Sequence, residues 1–484
     1  MKFYFTIPLL KNFFLTLCLV LFSGFLLRAQ TSASSSPYSR FALGRPENTG
    51  FSAIFAQGGS FTAFQNDSVA PFYINQGNPA SYSYNKLTTY EFGARYGFYK
   101  YTDSQNGNVN KQNGGFNYIS LAFPIRRNMG AAFGLLPFSN VGYQVTTYEN
   151  VDQIGQITNS YQGTGGINQA YGGYAIRPFE KGLRNFSKSK TCDTLRKQGK
   201  YKSIKRRKFI LKSLSSLSLG TNVSFMYGTI NYSTRKYFPA NFGSVFNTKD
   251  FTETQMHDVY FQGGAQMSFD IDSIGKHNLK KNIRITLGYS SSLPKDMAVN
   301  VTHMSCNFSQ GSYGNELNFD TFSYQANYKG KIHLPLIHSL GIGIKRGESF
   351  SMLLDAGIQQ WSKFTFLGDN QNLRDQYRFS VGMQYLPSRN AIGTGAYFKR
   401  TMYRVGGRYN TGYLFLNGNH IGEYAVSAGL GLPVGRYRLQ TIVNLSVEYG
   451  TAGTLQNNLV QERFIRFVAG FTFNDRWFVK PKYD

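Results

Sequence analysis

Period-two alternation recurs along most of this chain, and it restricts the fold more than any other feature. Tyr90, Phe92, Ala94, Tyr96 and Phe98 fall on one face of an extended segment, with Glu91, Gly93, Arg95 and Gly97 on the other. Residues 259–271 repeat the pattern: Phe261, Ala265, Met267 and Phe269 alternate with Gln262, Gly264, Gln266 and Ser268. Residues 283–289 and 443–449 do the same. About fourteen such segments are expected between 87–100 and 462–473. A strand with one apolar and one polar face suits a closed sheet that separates lipid from an aqueous lumen. Tyr90, Phe92, Phe98, Phe261, Met267 and Phe269 are the expected lipid-facing side chains.

The connections alternate in length. Residues 126–128, 346–349, 388–390 and 434–438 read as short turns. Residues 101–115, 149–163, 233–257, 293–329 and 410–419 read as long loops. Short turns at one rim and long loops at the other are the pattern of an outer-membrane barrel, with the turns in the periplasm. The expected fold class is therefore all-β: a transmembrane antiparallel β-barrel of about 14 strands over 87–473, with a tail at 474–484.

Composition agrees with that reading. Charged residues are 16% of the chain, aromatic residues 16%, and there are 51 glycines among 484 residues. Mean hydropathy is −0.32, as expected when polar lumen-facing positions offset apolar lipid-facing ones. Net charge is +27. In an exported protein that charge points to anionic lipid, lipopolysaccharide or peptidoglycan rather than to nucleic acid.

Export itself is read from residues 1–30. Lys2 and Lys11 precede an almost wholly apolar stretch, 13–27, and Arg28-Ala29-Gln30 leads into a polar segment. This is the layout of a signal peptide, and the stretch is short for a membrane span. Residues 31–86 then lack sustained alternation. They contain Asn78-Pro79-Ala80, where Pro79 donates no hydrogen bond and fixes its own φ. A hatch or plug segment that enters the barrel is expected here.

One connection is unusual. Residues 180–212 interrupt the short-turn rim with a strongly basic insertion, in which Lys205, Arg206, Arg207 and Lys208 are consecutive. It reads either as a solvated basic loop or as a periplasmic contact with an anionic surface such as phospholipid. Aromatic residues are too sparse there for stacking on nucleic-acid bases.

Chemistry-bearing motifs are lacking. The six histidines have no metal-ligand spacing, and there is no nucleophile elbow and no phosphate-binding glycine loop. His303 with Ser305 is one candidate pair for nucleophilic catalysis, and one sequence cannot place such residues in space. After loss of Cys18 with the signal peptide, Cys192 and Cys306 remain, which could pair in an oxidising compartment but make neither a disulfide framework nor a zinc site. No enzyme activity, cofactor or metal is expected.

Several short motifs together resemble the FadL family of outer-membrane transport proteins. Asn78-Pro79-Ala80 resembles the Asn-Pro-Ala of that family's hatch. Gln360-Trp361-Ser362-Lys363-Phe364 resembles its Trp-Ser segment, and Phe379–Pro387 with Tyr403–Gly406 its late strand pair. The early Ser-Pro-Tyr-Ser-Arg-Phe and the closing Asn474–Phe478 resemble FadL-like proteins of Bacteroidetes. The resemblance implies a plugged 14-strand barrel, with Asn78, Pro79 and Ala80 in the hatch and Trp361, Ser362 and Phe364 on a family strand. It also implies passive transport or binding of a hydrophobic small molecule such as a long-chain fatty acid. The alternative it carries is a structural or docking barrel that partners a protein of type 9 secretion.

Overall fold

The computed structural model describes residues 36–477, except 48–49, 67–70, 106, 181–189, 240–245, 272–282, 311–314, 394–395 and 435–440. The signal peptide, the first five residues of the expected hatch and the end of the tail lie outside the described residues.

The sheet closes on itself through 14 antiparallel wall strands. They are β1 (Thr88–Asp103), β2 (Gly107–Arg126), β3 (Met129–Val151), β4 (Gly155–Ile176), β5 (Ser218–Tyr237) and β6 (Asn247–Ile271). β7 (Ile283–Ser292, continued by Lys295–Gln310) and β8 (Glu316–Leu334, continued by Ile337–Arg346) follow. The wall is completed by β9 (Phe350–Gln359), β10 (Gln376–Tyr385), β11 (Met402–Asn410), β12 (Glu423–Val434), β13 (Thr441–Gly453) and β14 (Gln461–Asp475). β14 pairs with β1 from Asp475↔Thr88 to Gln461↔Thr102, which removes the open edges a flat sheet would leave. Asn474 and Asp475, assigned to a tail from the sequence, are therefore the end of the last strand.

β7 and β8 are each broken once but keep their register. Leu334 faces Lys295 and Ile337 faces Ser292, on either side of the gap. Pro294 and Pro335 stand in the two gaps. Proline has no N–H for the ladder, so paired interruptions at one height are the natural place for two of them.

Alternation in burial confirms the two faces. Tyr90, Phe98 and Phe261 are exposed on the outside, and Phe92, Met267 and Phe269 share their face half-exposed. Tyr385 with Tyr403 at one rim, and Tyr409 with Tyr424 at the other, form cross-strand pairs of exposed aromatics, as at the two interfaces of a bilayer.

The long loops expected from the sequence are mostly strand. Residues 107–115, 155–163, 247–257 and much of 293–329 continue the ladders of β2, β4, β6, β7 and β8 as tall hairpins. In 316–330 nearly every residue is exposed on both faces, so the alternation that marks a lipid-bounded strand is missing. β9–β12, by contrast, have only 9–12 residues, near the ~9–11 that span a bilayer. The wall is tall on one side and low on the other. Between β10 and β11 the chain makes an excursion with a short helix, Ala396–Arg400.

Candidate functional site

The N-terminal segment lies inside the lower half of the wall. Asn78 is fully buried, and its side chain closes a turn: Oδ1 accepts the Ala80 N–H at 3.2 Å. Its Nδ2 donates to the Thr62 carbonyl at 2.7 Å and to the Tyr289 carbonyl of β7 at 3.2 Å. Pro79 opens the 3-10 turn Pro79–Tyr84, where a missing N–H costs nothing. Gly77 offers its carbonyl to Gln262 Nε2 at 2.8 Å and to Ser290 Oγ at 2.7 Å. Two strands further round the wall, on β9, Asp355 Oδ2 accepts the Phe61 and Thr62 N–H groups at 2.7 and 2.8 Å. Arg378 donates to the Gly59 carbonyl at 2.7 Å. A segment without a ladder of its own thus satisfies its backbone on inward-facing side chains around the barrel.

Glycines make this approach feasible. A Cβ at Gly220 or Gly264 would overlap the Asn78–Ala80 turn, at Gly288 the Thr62 carbonyl, and at Gly382 or Gly406 the Gln57–Gly58 backbone. These glycines sit on five different strands, so main chain meets main chain without intervening side chains.

Above the segment is a buried charge cluster. Arg45 pairs with Glu423 at 2.7 Å and Glu462 at 2.9 Å. Arg408 contacts Glu448 and reaches Glu423 at 2.6 Å, and Arg466 reaches Glu448 at 2.8 Å. Three guanidinium groups balance three carboxylates.

The upper lumen is apolar. Met226, Ile230, Met256, Met297, Val299 and Ile332 face inward from β5–β8. They pack on side chains from the excursions that rise from the low side, including Trp361, Phe364, Leu373, Leu414 and Ile421. Trp361 stacks on Tyr413 with ring centres 4.7 Å apart and donates Nε1–H to Gln359 at 2.8 Å. Phe364 is wholly buried beside it. Ser362 is not part of this cluster: its N–H and hydroxyl both bond Asp375 at the surface, at 3.0 and 2.6 Å. β9 ends at Gln359 and the Trp361–Lys363 turn follows it, so Trp361, Ser362 and Phe364 are not on the strand where the resemblance put them.

The wall is split beside this apolar region. β2 stays paired with β1 up to Asp103↔Gly107, but its pairing with β3 stops at Ile119↔Leu135. Above that point β4 is the only wall strand paired with β3, with a register shift between Pro137 and Ser139. From the lumen, Arg45–Pro46 bridges to Asn140 and Ser139 across the free edge.

The basic insertion is helical where it is described, as α-helices Lys190–Lys197 and Tyr201–Ser215. Ile204 is buried and Leu211 half-buried seven residues on, on one helical face. Lys212 pairs with Asp270 of β6 at 3.1 Å. Arg206 and Arg207 are exposed and Lys208 half-exposed, while the Lys205 side chain lies outside the described residues.

Ser305 and His303 do meet an acid, but not as a relay. Asp250 and Ser305 both approach His303 Nε2, at 3.3 and 3.2 Å, whereas Nδ1 faces Thr252. A nucleophile-activating histidine needs the serine on one ring nitrogen and the acid on the other. Cys306 is buried and not in a disulfide.

The pattern of the BamG family matches residues 9–183 and 208–484. The chain belongs to the BamG family. The stretch that this BamG-family match leaves out, 184–207, falls within the basic insertion. Among solved structures the chain is similar to a Pseudomonas aeruginosa FadL homologue, with a TM-score of 0.55 and 11% identity over 89% of this chain and 100% of that one. It is also similar to the P. putida toluene transporter TodX, with a TM-score of 0.52 and 12% identity over 90% and 100%. At such identity the likeness establishes a FadL-like barrel fold. No curated protein matches the sequence.

Sequence reasoning missed Asp355, the glycine contacts and the arginine–glutamate cluster. The cluster did leave a signal: Arg404 and Arg408, or Glu462 and Arg466, recur on one face of strands whose other face is apolar.

Proposed function

We propose that this protein is an outer-membrane barrel for passive handling of apolar small molecules, with the upper lumen as the binding region. The apolar inner wall carries the reading. Inward positions of a water-filled barrel are polar, whereas β5–β8 present methionine and branched aliphatic side chains there. The N-terminal segment acts as the hatch, through Asn78, Pro79 and Ala80. The cavities between it and the wall are small, about 100 Å³ beside the charge cluster. The split between β2 and β3 offers an apolar solute a sideways exit into the bilayer. Trp361 and Phe364 close the roof over the same region, so entry requires their excursion to move. TodX, with the same fold, is described as a toluene transporter.

The test is uptake of long-chain fatty acids and of toluene by cells with and without the protein, beside equilibrium binding to the purified barrel. Faster uptake with the protein, and saturable binding, are the expected results. Unchanged uptake and binding, together with loss of a secreted protein from the surface of deletion cells, would select the docking-barrel alternative.

The same reading places the helix Tyr201–Ser215 in the periplasm, with Arg206, Arg207 and Lys208 toward anionic lipid. Ser203 is exposed. A cysteine at Ser203 should resist an impermeant thiol reagent in whole cells and react once the outer membrane is permeabilised. Reaction in intact cells would invert the topology.

A further inference from the structure

A second pocket lies at the short-turn mouth of the barrel, and its chemistry is the reverse of the apolar lumen. It is about 80 Å³ in volume and lies between the N-terminal segment at Phe64–Asn66 and the ends of β7–β10. Three cations, Arg284, Lys345 and Arg389, line it against one carboxylate, Glu348. Arg284 is already held by Asp270 at 2.7 Å. Arg389 is not held in this way. Its side chain is only 12% exposed, yet its Nε and Nη1 have no hydrogen-bond partner. Its nearest carboxylate, Glu348, stands 3.7 Å away and is itself 56% exposed.

A guanidinium largely out of water with two of its nitrogens short of hydrogen-bond acceptors is costly, and a bound anion would supply them. With Asp270 counted beside Glu348, three cations face two carboxylates, and the positive balance favours an anion. A pocket of about 80 Å³ has room for a compact anion such as phosphate and is far short of a fatty acid. The guanidinium fork of Arg389 suits two phosphate oxygens. Height in the membrane agrees. Ser351 and Gln384 line the pocket, and their strand neighbours Phe350 and Tyr385 are an outward-facing cross-strand pair at the same rim.

We propose that this mouth pocket binds a phosphate group, with Arg389 as its principal ligand and Lys345 as a second. The phosphate comes either from the headgroup of an inner-leaflet phospholipid or from free inorganic phosphate. The site is independent of the apolar upper lumen and does not rest on the transport reading.

The experiment uses the full-length barrel in phosphate-free detergent solution. Inorganic phosphate and, separately, short-chain phosphatidylglycerol are titrated by calorimetry into the wild type, Arg389→Gln and Lys345→Gln. Folding of each variant is checked by heat-modifiable gel mobility. Binding of either titrant is expected, weakened about ten- to hundredfold by Arg389→Gln, the range for one charge-assisted contact. Lys345→Gln should weaken it less, and it carries the test alone if Arg389→Gln does not fold. Saturation by inorganic phosphate assigns the free ion, and saturation only by the lipid assigns the headgroup. Absence of binding to both, or wild-type affinity in every folded variant, would overturn the proposal.

Discussion

Arg408→Ala is expected to destabilise the barrel by about 3–5 kcal/mol, the cost of breaking a buried ion pair from one side. Arg408 is 1% exposed, contacts Glu448 and lies 2.6 Å from Glu423. Removing it leaves three carboxylates facing Arg45 and Arg466, in a space that admits little water. The measurement is the urea midpoint of the barrel refolded into vesicles, read by the mobility shift. The pair Arg408→Met with Glu448→Gln should cost clearly less than Arg408→Ala, because the orphaned carboxylate is then absent. A single variant with near-normal stability would mean that the cluster is hydrated and contributes little. Arg45 belongs to the N-terminal segment and Glu462 to β14, so the cluster also ties that segment to the wall.

The second large effect concerns two adjacent glycines of β6. Gly264→Val should drive the Asn78–Pro79 turn from its seat, since its Cβ would overlap Asn78 and Pro79. Overpacking of this kind costs about 1–3 kcal/mol or more. Here the contact is a closed turn whose carbonyl and amide partners shift with it. Gly263→Val meets nothing within 4 Å on the other face and should change stability by no more than about 0.5 kcal/mol. The readouts are single-channel conductance and protease cleavage within residues 50–66. Gly264→Val should raise both, while Gly263→Val should match the wild type. Equal behaviour of the two variants would show that the segment does not seal the lumen.

These two experiments separate what is local from what is not. Alternation in 90–98 and 259–271 was legible because lipid and lumen impose opposite demands on successive residues. That contrast ends above the bilayer. In 107–112 and nearly all of 316–330 both faces of the strand meet water, so tall hairpins read as loops. The helix Tyr201–Ser215 was hidden for a related reason: its exposed side mixes Arg206 and Arg207 with Phe209 and Ile210, which blurs any apolar stripe. Asn78-Pro79-Ala80 could be recognised as non-ladder chain from Pro79 alone, and Trp361 and Phe364 stood out by resemblance.

The sequence by itself determined the strand faces, the approximate strand number, the irregular N-terminal segment and the excess of positive charge, because each follows from neighbours within a few residues. Tertiary structure alone decided that Asp355 would hold the Phe61 and Thr62 amides, that Gly264 would seat Asn78, and that Arg389 would be left short of partners. Closing a barrel brings strands hundreds of residues apart to one height around one lumen. Whether a charge there is paired, or a glycine is touched, depends on which side chain arrives from the far wall.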